Sequence, residues 1–341
     1  MDTGSIVETP RLRTWVRQAG PSDGPAIVFV HGNVSSGVFF EPLIESLAAD
    51  FRVVAPDFRG YGASERRAID ATRGVRDLSD DLDALIGTLG LRTPLHLLGW
   101  SAGGGVVMQY AIDHPGAVAS LILESGMSPY GFGGTHGSEG RPNWPDHAGS
   151  GGGTANPEFV RLLRDGDRGT GSHVSPLNTM RAFYTHPDFR LEPSFEERCL
   201  GGMLDTSVGD DVYPGDSAPS SNWPGVVPGT SGMNNGISPK YLDLSGFAAL
   251  SPAPAVLWIR GDADQIVSDT SLFDFGFLGR LGAVPGWPGD EVFPPQPMVA
   301  QLRAVLERAG TCREVVYEGC GHSPHLERAE RFVADIRAFI G

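Results

Sequence analysis

Apolar positions along the chain fall into two alternating patterns. Short continuous runs come first: Pro25-Ala-Ile-Val-Phe-Val30, bounded by glycine and proline, has the composition of a strand buried on both faces. Phe51 to Ala55, Leu95 to Leu98, Ser120 to Leu123 and Ala255 to Ile259 repeat that signature. Between them lie stretches with a helical period. In Arg76 to Leu89 the residues Leu78, Leu82, Leu85, Ile86 and Leu89 form one stripe, and helices are also predicted over Phe39 to Ala49, Ala102 to Asp113, Pro297 to Ala309 and Ala329 to Ile340. A hairpin-like pair, Ser5 to Glu8 and Leu12 to Gln18, precedes the series, and a strand over 313–318 follows it. Strands alternating with helices of this length predict an α/β fold, with a mainly parallel sheet covered by helices on both faces.

The alternation stops after Gly126. Residues 127–247 hold 21 of the 47 glycines and 12 of the 27 prolines, so irregular structure is expected there, with short helices over Pro157 to Arg164 and Ser194 to Leu204. Aromatic residues such as Trp144, Phe159, Tyr184 and Trp223 exceed what a linker needs, which makes the segment a cap folded onto the sheet. The chain therefore divides into a first core part (1–126), a cap insertion (127–247) and a second core part (248–341). This explains a length of 341 residues, more than one hydrophobic core requires.

Composition narrows the function. The formal charge of −15 repels phosphate backbones and anionic lipid, so a nucleic-acid partner is not expected. No apolar run reaches the roughly 18 residues of a membrane span, and a small-molecule substrate is the expected partner. The start of the sequence shows neither a basic nor an apolar leader region, which gives a cytoplasmic expectation. Cys312 and Cys320 flank the strand over 313–318 and would lie roughly 26 Å apart along it, too far for a disulfide, so reduced thiols are expected.

The chemistry concentrates at strand ends. Gly99-Trp-Ser-Ala-Gly103 satisfies G-x-S-x-G between a predicted strand and a predicted helix, the context in which a tight turn presents a serine hydroxyl as nucleophile. Ser101 then needs a base held by a carboxylate. His322, in the loop Gly319-Cys-Gly-His-Ser-Pro324, is the candidate base, with His325 as its competitor. Asp264 and Asp262 both follow the strand ending at Ile259 and are both candidate acids; Glu124, at the end of an earlier strand, is an alternative. The loop after Val30-His-Gly-Asn33 can aim the Asn33 N–H into the same crevice as the Ala102 N–H, forming an oxyanion hole from two backbone donors. The cap histidines lack metal-ligand spacing, so no metal is expected.

Taken together, His31-Gly-Asn33, Asp57-Phe-Arg-Gly-Tyr-Gly-Ala-Ser64, Gly99-Trp-Ser-Ala-Gly103 and Gly319-Cys-Gly-His322 resemble the ordered motifs of the α/β-hydrolase superfamily, outside the cap. The resemblance implies an eight-stranded-type sheet, a Ser101–His322–Asp264 triad and no cofactor. It maps the acid to Asp264 in Gly261-Asp-Ala-Asp-Gln-Ile-Val267, with Glu124 kept open because haloalkane dehalogenases carry their acid after the earlier strand. A serine at the elbow sets the chain apart from the dehalogenases and epoxide hydrolases of the fold, which use aspartate there. The implied activity is hydrolysis of a carboxylic ester or lactone. An amidase, aminopeptidase, perhydrolase or C–C hydrolase with the same triad is the alternative, and a ligand-binding receptor or pseudoenzyme the further one. An aminopeptidase would need cap carboxylates, for which Glu139, Asp146, Glu158, Asp210 and Asp211 are available.

Overall fold

The computed structural model describes residues 4–341. Eight strands form one sheet: β1 (Gly4–Glu8), β2 (Arg13–Ala19), β3 (Ala26–Val30), β4 (Arg52–Pro56), β5 (Leu95–Trp100), β6 (Val118–Glu124), β7 (Ala255–Gly261) and β8 (Cys312–Tyr317). Their spatial order is β1-β2-β4-β3-β5-β6-β7-β8. Only β1/β2 and β2/β4 pair antiparallel; every later pairing is parallel. All of β3 is buried, as is all of β5 but His96, which requires cover on both faces and explains why these strands are almost wholly apolar.

The helices supply that cover. In α2 (Arg76–Leu89) Leu78, Leu82, Leu85 and Ile86 are buried, and Gly90 ends it in the left-handed region at φ 59°. Next comes α3 (Ala102–Asp113), buried from Ala102 to Ala111, against which α2 packs. At the chain's other end α1 (Glu41–Leu47) packs on the C-terminal helix (Ala329–Ile340). The helix expected over Phe39 to Ala49 begins as a 3₁₀ turn, Gly37–Phe40, because Pro42 has no N–H to donate and fits only the first turn of α1. Strands β5 and β6 run two residues beyond Leu98 and one beyond Leu123, since parallel pairing of Trp100 with Glu124 outweighs the weak strand preference of Gly99.

Register aligns the carboxyl ends of four neighbouring strands. Val30 pairs with Gly99, Trp100 with Glu124, and Glu124 with Ile259. The residues that follow these ends therefore emerge along one edge of the sheet. Residues 127–247 leave from that edge and return to it as short pieces, among them α4 (Pro157–Arg164), α5 (Pro193–Leu204), a π-turn over Met180–Tyr184 and the two-stranded pair Ser217–Pro219 with Val226–Pro228. Phe159, Met180, Tyr184, Phe195, Met203 and Met233 from this segment join the same apolar core as the sheet. Cys199, Cys312 and Cys320 are free.

Candidate active site

Ser101 occupies the turn between β5 and α3 with φ 56° and ψ −120°, a backbone state that L-residues rarely adopt. The flanking glycines make this turn possible. A Cβ at Gly103 would stand 2.1 Å from the Val30 carbonyl oxygen, and one at Gly99 would stand 2.5 Å from the Gly103 carbonyl oxygen. The Ser101 N–H donates to the Glu124 carbonyl at 2.9 Å, tying the turn to β6. Its side chain faces a cavity, at the N-terminus of α3, where backbone N–H groups favour negative charge.

The loop after β3 forms the facing wall. His31 is fully buried; its Nε2 accepts the Phe58 N–H at 2.9 Å, which leaves the ring proton on Nδ1, donating to the Gly32 carbonyl at 2.7 Å. Burial pushes its imidazole down to about 3, with Arg17 adding to the effect, so it is neutral at physiological pH and acts as a loop brace. Val34 sits at φ 46°, strained for a β-branched residue. Asn33 Oδ1 accepts the Val34 N–H at 3.0 Å and the Tyr61 hydroxyl at 2.7 Å, while the Tyr184 hydroxyl reaches the Val34 carbonyl at 2.9 Å. The N–H groups of Asn33 and Ala102 find no protein acceptor among the described residues, and both residues line the cavity.

His322 follows β8 on its glycine-rich loop, 2 % exposed, with its edge on the same cavity. The Trp100 indole N–H donates to its carbonyl at 2.9 Å and fixes the loop against the elbow. His322 Nδ1 lies 2.8 Å from Asp264 Oδ2, and both side chains are almost wholly buried. Asp264 Oδ1 in turn accepts the N–H groups of Ile266 and Val267 at 2.8 and 3.0 Å, which sets the carboxylate plane.

The two other acids have different partners. Asp262 accepts the Gly319 N–H at 2.8 Å, bracing the histidine loop from outside. Glu124, expected as an alternative acid, meets His325 rather than His322: its Oε1 lies 2.7 Å from His325 Nδ1 and accepts the His325 N–H at 2.8 Å. His325 also directs Nε2 at the Phe39 carbonyl and is buried away from the cavity, which removes it as a competing base facing Ser101. The reason is spacing: only Ser323 and Pro324 separate the two histidines, and the one-turn helix Pro324–Glu327 turns His325 back against Trp100.

The cavity measures about 500 Å³, within the roughly 300–1,000 Å³ usual for small-molecule sites. Phe273, Phe275, Leu278 and Val284 line it, so the aromatic stretch between acid and histidine forms a wall. Two residues of the 127–247 segment escaped sequence reasoning. Tyr184 braces the Asn33–Val34 carbonyls, and Asn234 accepts from Asn33 Nδ2 at 2.9 Å and borders the cavity. Neither carries a local motif; each is placed by the path of residues 127–247. Among the described residues no group of three or more His, Cys, Asp or Glu stands close enough to hold a metal ion, and no helix is long and apolar enough to cross a membrane.

A strained serine turn at the carboxyl edge of a mainly parallel eight-stranded sheet, facing a histidine held by a carboxylate, defines an α/β hydrolase. The alpha/beta hydrolase family model matches residues 27–336, and the chain belongs to that family. Curated relatives match over shorter stretches. The magnesium-chelatase 30 kDa subunit of Rhodobacter capsulatus is 39% identical over 101 residues, 30% of this chain and 35% of that protein. The putative carbamate hydrolase RutD of Variovorax paradoxus is 38% identical over 111 residues, 32% of this chain and 41% of that protein. The chain thus spans well under half the length of these curated relatives. Among solved structures, a putative aryl esterase from Burkholderia cenocepacia superposes with TM-score 0.61 at 20% identity, covering 99% of this chain and 97% of that one. The esterase RhEst1 from Rhodococcus sp. ECU1013 gives 0.59 at 20% identity, with 99% and 98% covered. These likenesses establish the shared fold.

Proposed function

We propose that the protein is a serine hydrolase that cleaves a carboxylic ester or lactone through an acyl-enzyme on Ser101. The observation that carries this reading is the buried 2.8 Å contact of His322 Nδ1 with Asp264, in a histidine that shares one cavity with Ser101. Asp264 keeps the ring proton on Nδ1, which leaves Nε2 free to take the Ser101 proton as Oγ attacks the acyl carbon. The Asn33 and Ala102 N–H groups receive the oxyanion; removing one such donor in a hydrolase costs about 3–4 kcal/mol of barrier. The C–O bond to the leaving alcohol breaks as His322 passes it the proton. A water, deprotonated by His322, then attacks the acyl-enzyme, releases the acid and restores Ser101. The names of the structural neighbours, an aryl esterase and a further esterase, accord with this chemistry.

The test is turnover of p-nitrophenyl acetate and butyrate together with labelling by a fluorophosphonate. Wild type should hydrolyse the esters and carry one adduct, on Ser101, and Ser101→Ala should lose both while keeping its fold. Absence of turnover and of adduct in the wild type would overturn the reading.

A further inference from the structure

None of the residues lining the cavity is Asp, Glu, Lys or Arg; apart from His322 its polar groups are hydroxyls, amides and backbone. The cap carboxylates that an ammonium group would need are elsewhere. Asp211 pairs with Arg66, Asp146 accepts from Ser220, and Glu158 accepts from Ser172 on the outer surface. A charged substrate group would enter this cavity without a partner, at a desolvation cost of several kcal/mol.

One amide bordering this uncharged cavity has a donor that no protein group takes up. The Val34 N–H needs an acceptor, so the Asn33 atom it meets is Oδ1 and Asn33 Nδ2 faces Asn234. Asn234 must therefore present Oδ1 to Asn33, which fixes the orientation of its own amide. Its Nδ2 then has no acceptor among the described residues, beside the loop that carries the Asn33 N–H, and the residue borders the cavity. A half-buried NH₂ group with a locked orientation and no protein partner is a donor available to a ligand.

Resting on the ester-hydrolase reading, we propose that the site takes a neutral ester or lactone with a bulky apolar acyl part that carries a second acceptor oxygen close to the acyl carbon. Asn234 selects for that oxygen by donating to it from Nδ2. The apolar walls take up the rest of the acyl group, Phe273 and Phe275 among them.

The experiment compares p-nitrophenyl phenoxyacetate with p-nitrophenyl 3-phenylpropanoate, which differ by an ether oxygen in place of a methylene, on wild type, Asn234→Ala and Asn234→Asp. Intrinsic reactivity cancels when the kcat/KM ratio of the pair in wild type is divided by that in a variant. The quotient should be about 3- to 10-fold for Asn234→Ala, the loss of one neutral hydrogen bond. Asn234→Asp keeps an acceptor for Asn33 and replaces the donor, so it should move the quotient in the same direction even if the alanine variant folds poorly. In parallel, p-nitrophenyl 6-aminohexanoate should be at least about 100-fold poorer than the hexanoate. A quotient within twofold of unity in both variants, or equal turnover of the ammonium ester, would overturn this proposal while the esterase reading stands. No turnover of any ester and no adduct on Ser101 would remove both.

Discussion

Replacing Asp264 with asparagine isolates what the carboxylate does for His322. The substituted amide has two orientations, and the local hydrogen bonds choose between them. The N–H groups of Ile266 and Val267, at 2.8 and 3.0 Å from Oδ1, demand an oxygen there, and reversing the amide would leave both facing an NH₂ group at roughly 1–3 kcal/mol each. Nδ2 is therefore forced towards His322 Nδ1, 2.8 Å away in the wild type from Oδ2. A donor at that position requires Nδ1 to be unprotonated, which moves the ring proton to Nε2, the atom that accepts the Ser101 proton in the proposed mechanism. Wrong-tautomer variants of this kind lose on the order of 10⁴ in kcat, about 5 kcal/mol of barrier. The assay is kcat for p-nitrophenyl butyrate at pH 7.5, with circular dichroism and urea unfolding to show that the variant is folded. Glu124→Gln is the companion, because its amide oxygen can still accept from the His325 backbone and ring; it should stay within tenfold of wild-type kcat. Near-wild-type activity in Asp264→Asn, or a thousandfold loss confined to Glu124→Gln, would refute the assignment of the acid.

Further outcomes follow from the same geometry. Gly103→Ala puts a methyl group 2.1 Å from the Val30 carbonyl oxygen and 2.6 Å from that of His31, so unfolding in urea should show a loss of about 3 kcal/mol or more; a variant as stable as wild type would contradict the close approach of α3 to β3. Tyr184→Phe removes the hydroxyl that braces the Asn33 and Val34 carbonyls, and should lower kcat about 3- to 10-fold with little change in KM, read from saturation curves for one ester. His31, held neutral at about 3 in the folded protein, gains a proton on unfolding anywhere below its ordinary value of 6.5. Its contribution is complete above that pH and is lost as pH falls towards 3, by about 2 kcal/mol between pH 6.5 and 5. The buried carboxyls of Asp57 and Asp274, each pushed up to about 6 by burial, act in the opposite sense, so the test is the difference between wild type and His31→Gln. That stability difference should shrink from pH 7 to pH 5, and a constant difference would argue against the buried neutral ring.

The sheet was legible because burial on both faces leaves an unmistakable trace. Strand β3 reads as an unbroken apolar run and β5 as one interrupted by His96, and α2 and the C-terminal helix fall at their predicted bounds, Arg76–Leu89 and Ala329–Ile340, because one stripe of each meets the core. The elbow was legible for a related reason: Gly99 and Gly103 are demanded by backbone contacts one residue either side of the serine's neighbours, so the spacing is written in the sequence itself. Glu124 shows where such reasoning ends. Its place at a strand end is the same kind of signal as that of Asp264, and only the return of His325 beneath Trp100 gives it a different histidine. Tyr184 and Asn234 lie further out of reach, since their neighbours in space are 150 and 201 residues away along the chain and no local pattern records those contacts.

Those two contacts tie residues 127–247 to the loop after β3. Val34 holds a left-handed backbone at φ 46°, a state that costs a β-branched residue about 1–3 kcal/mol and persists only where its surroundings impose it. Part of the imposition comes from the sheet side, through the His31 ring on Gly32 and Phe58. The rest comes from residues 127–247, where Tyr184 takes the Val34 carbonyl and Asn234 holds the Asn33 side chain whose oxygen receives the Val34 N–H. The strained loop that aims the Asn33 N–H at the cavity is thus closed from both sides. A segment that only covered the substrate could drift in position with little effect on chemistry; one that completes the hydrogen bonding of the loop proposed to hold the oxyanion cannot. If the proposed roles of Asn33 and Asn234 hold, substrate selection and barrier lowering share the same few side chains, and a change in residues 127–247 that reshapes the pocket must also preserve the Tyr184 and Asn234 contacts to keep the Asn33 N–H in place.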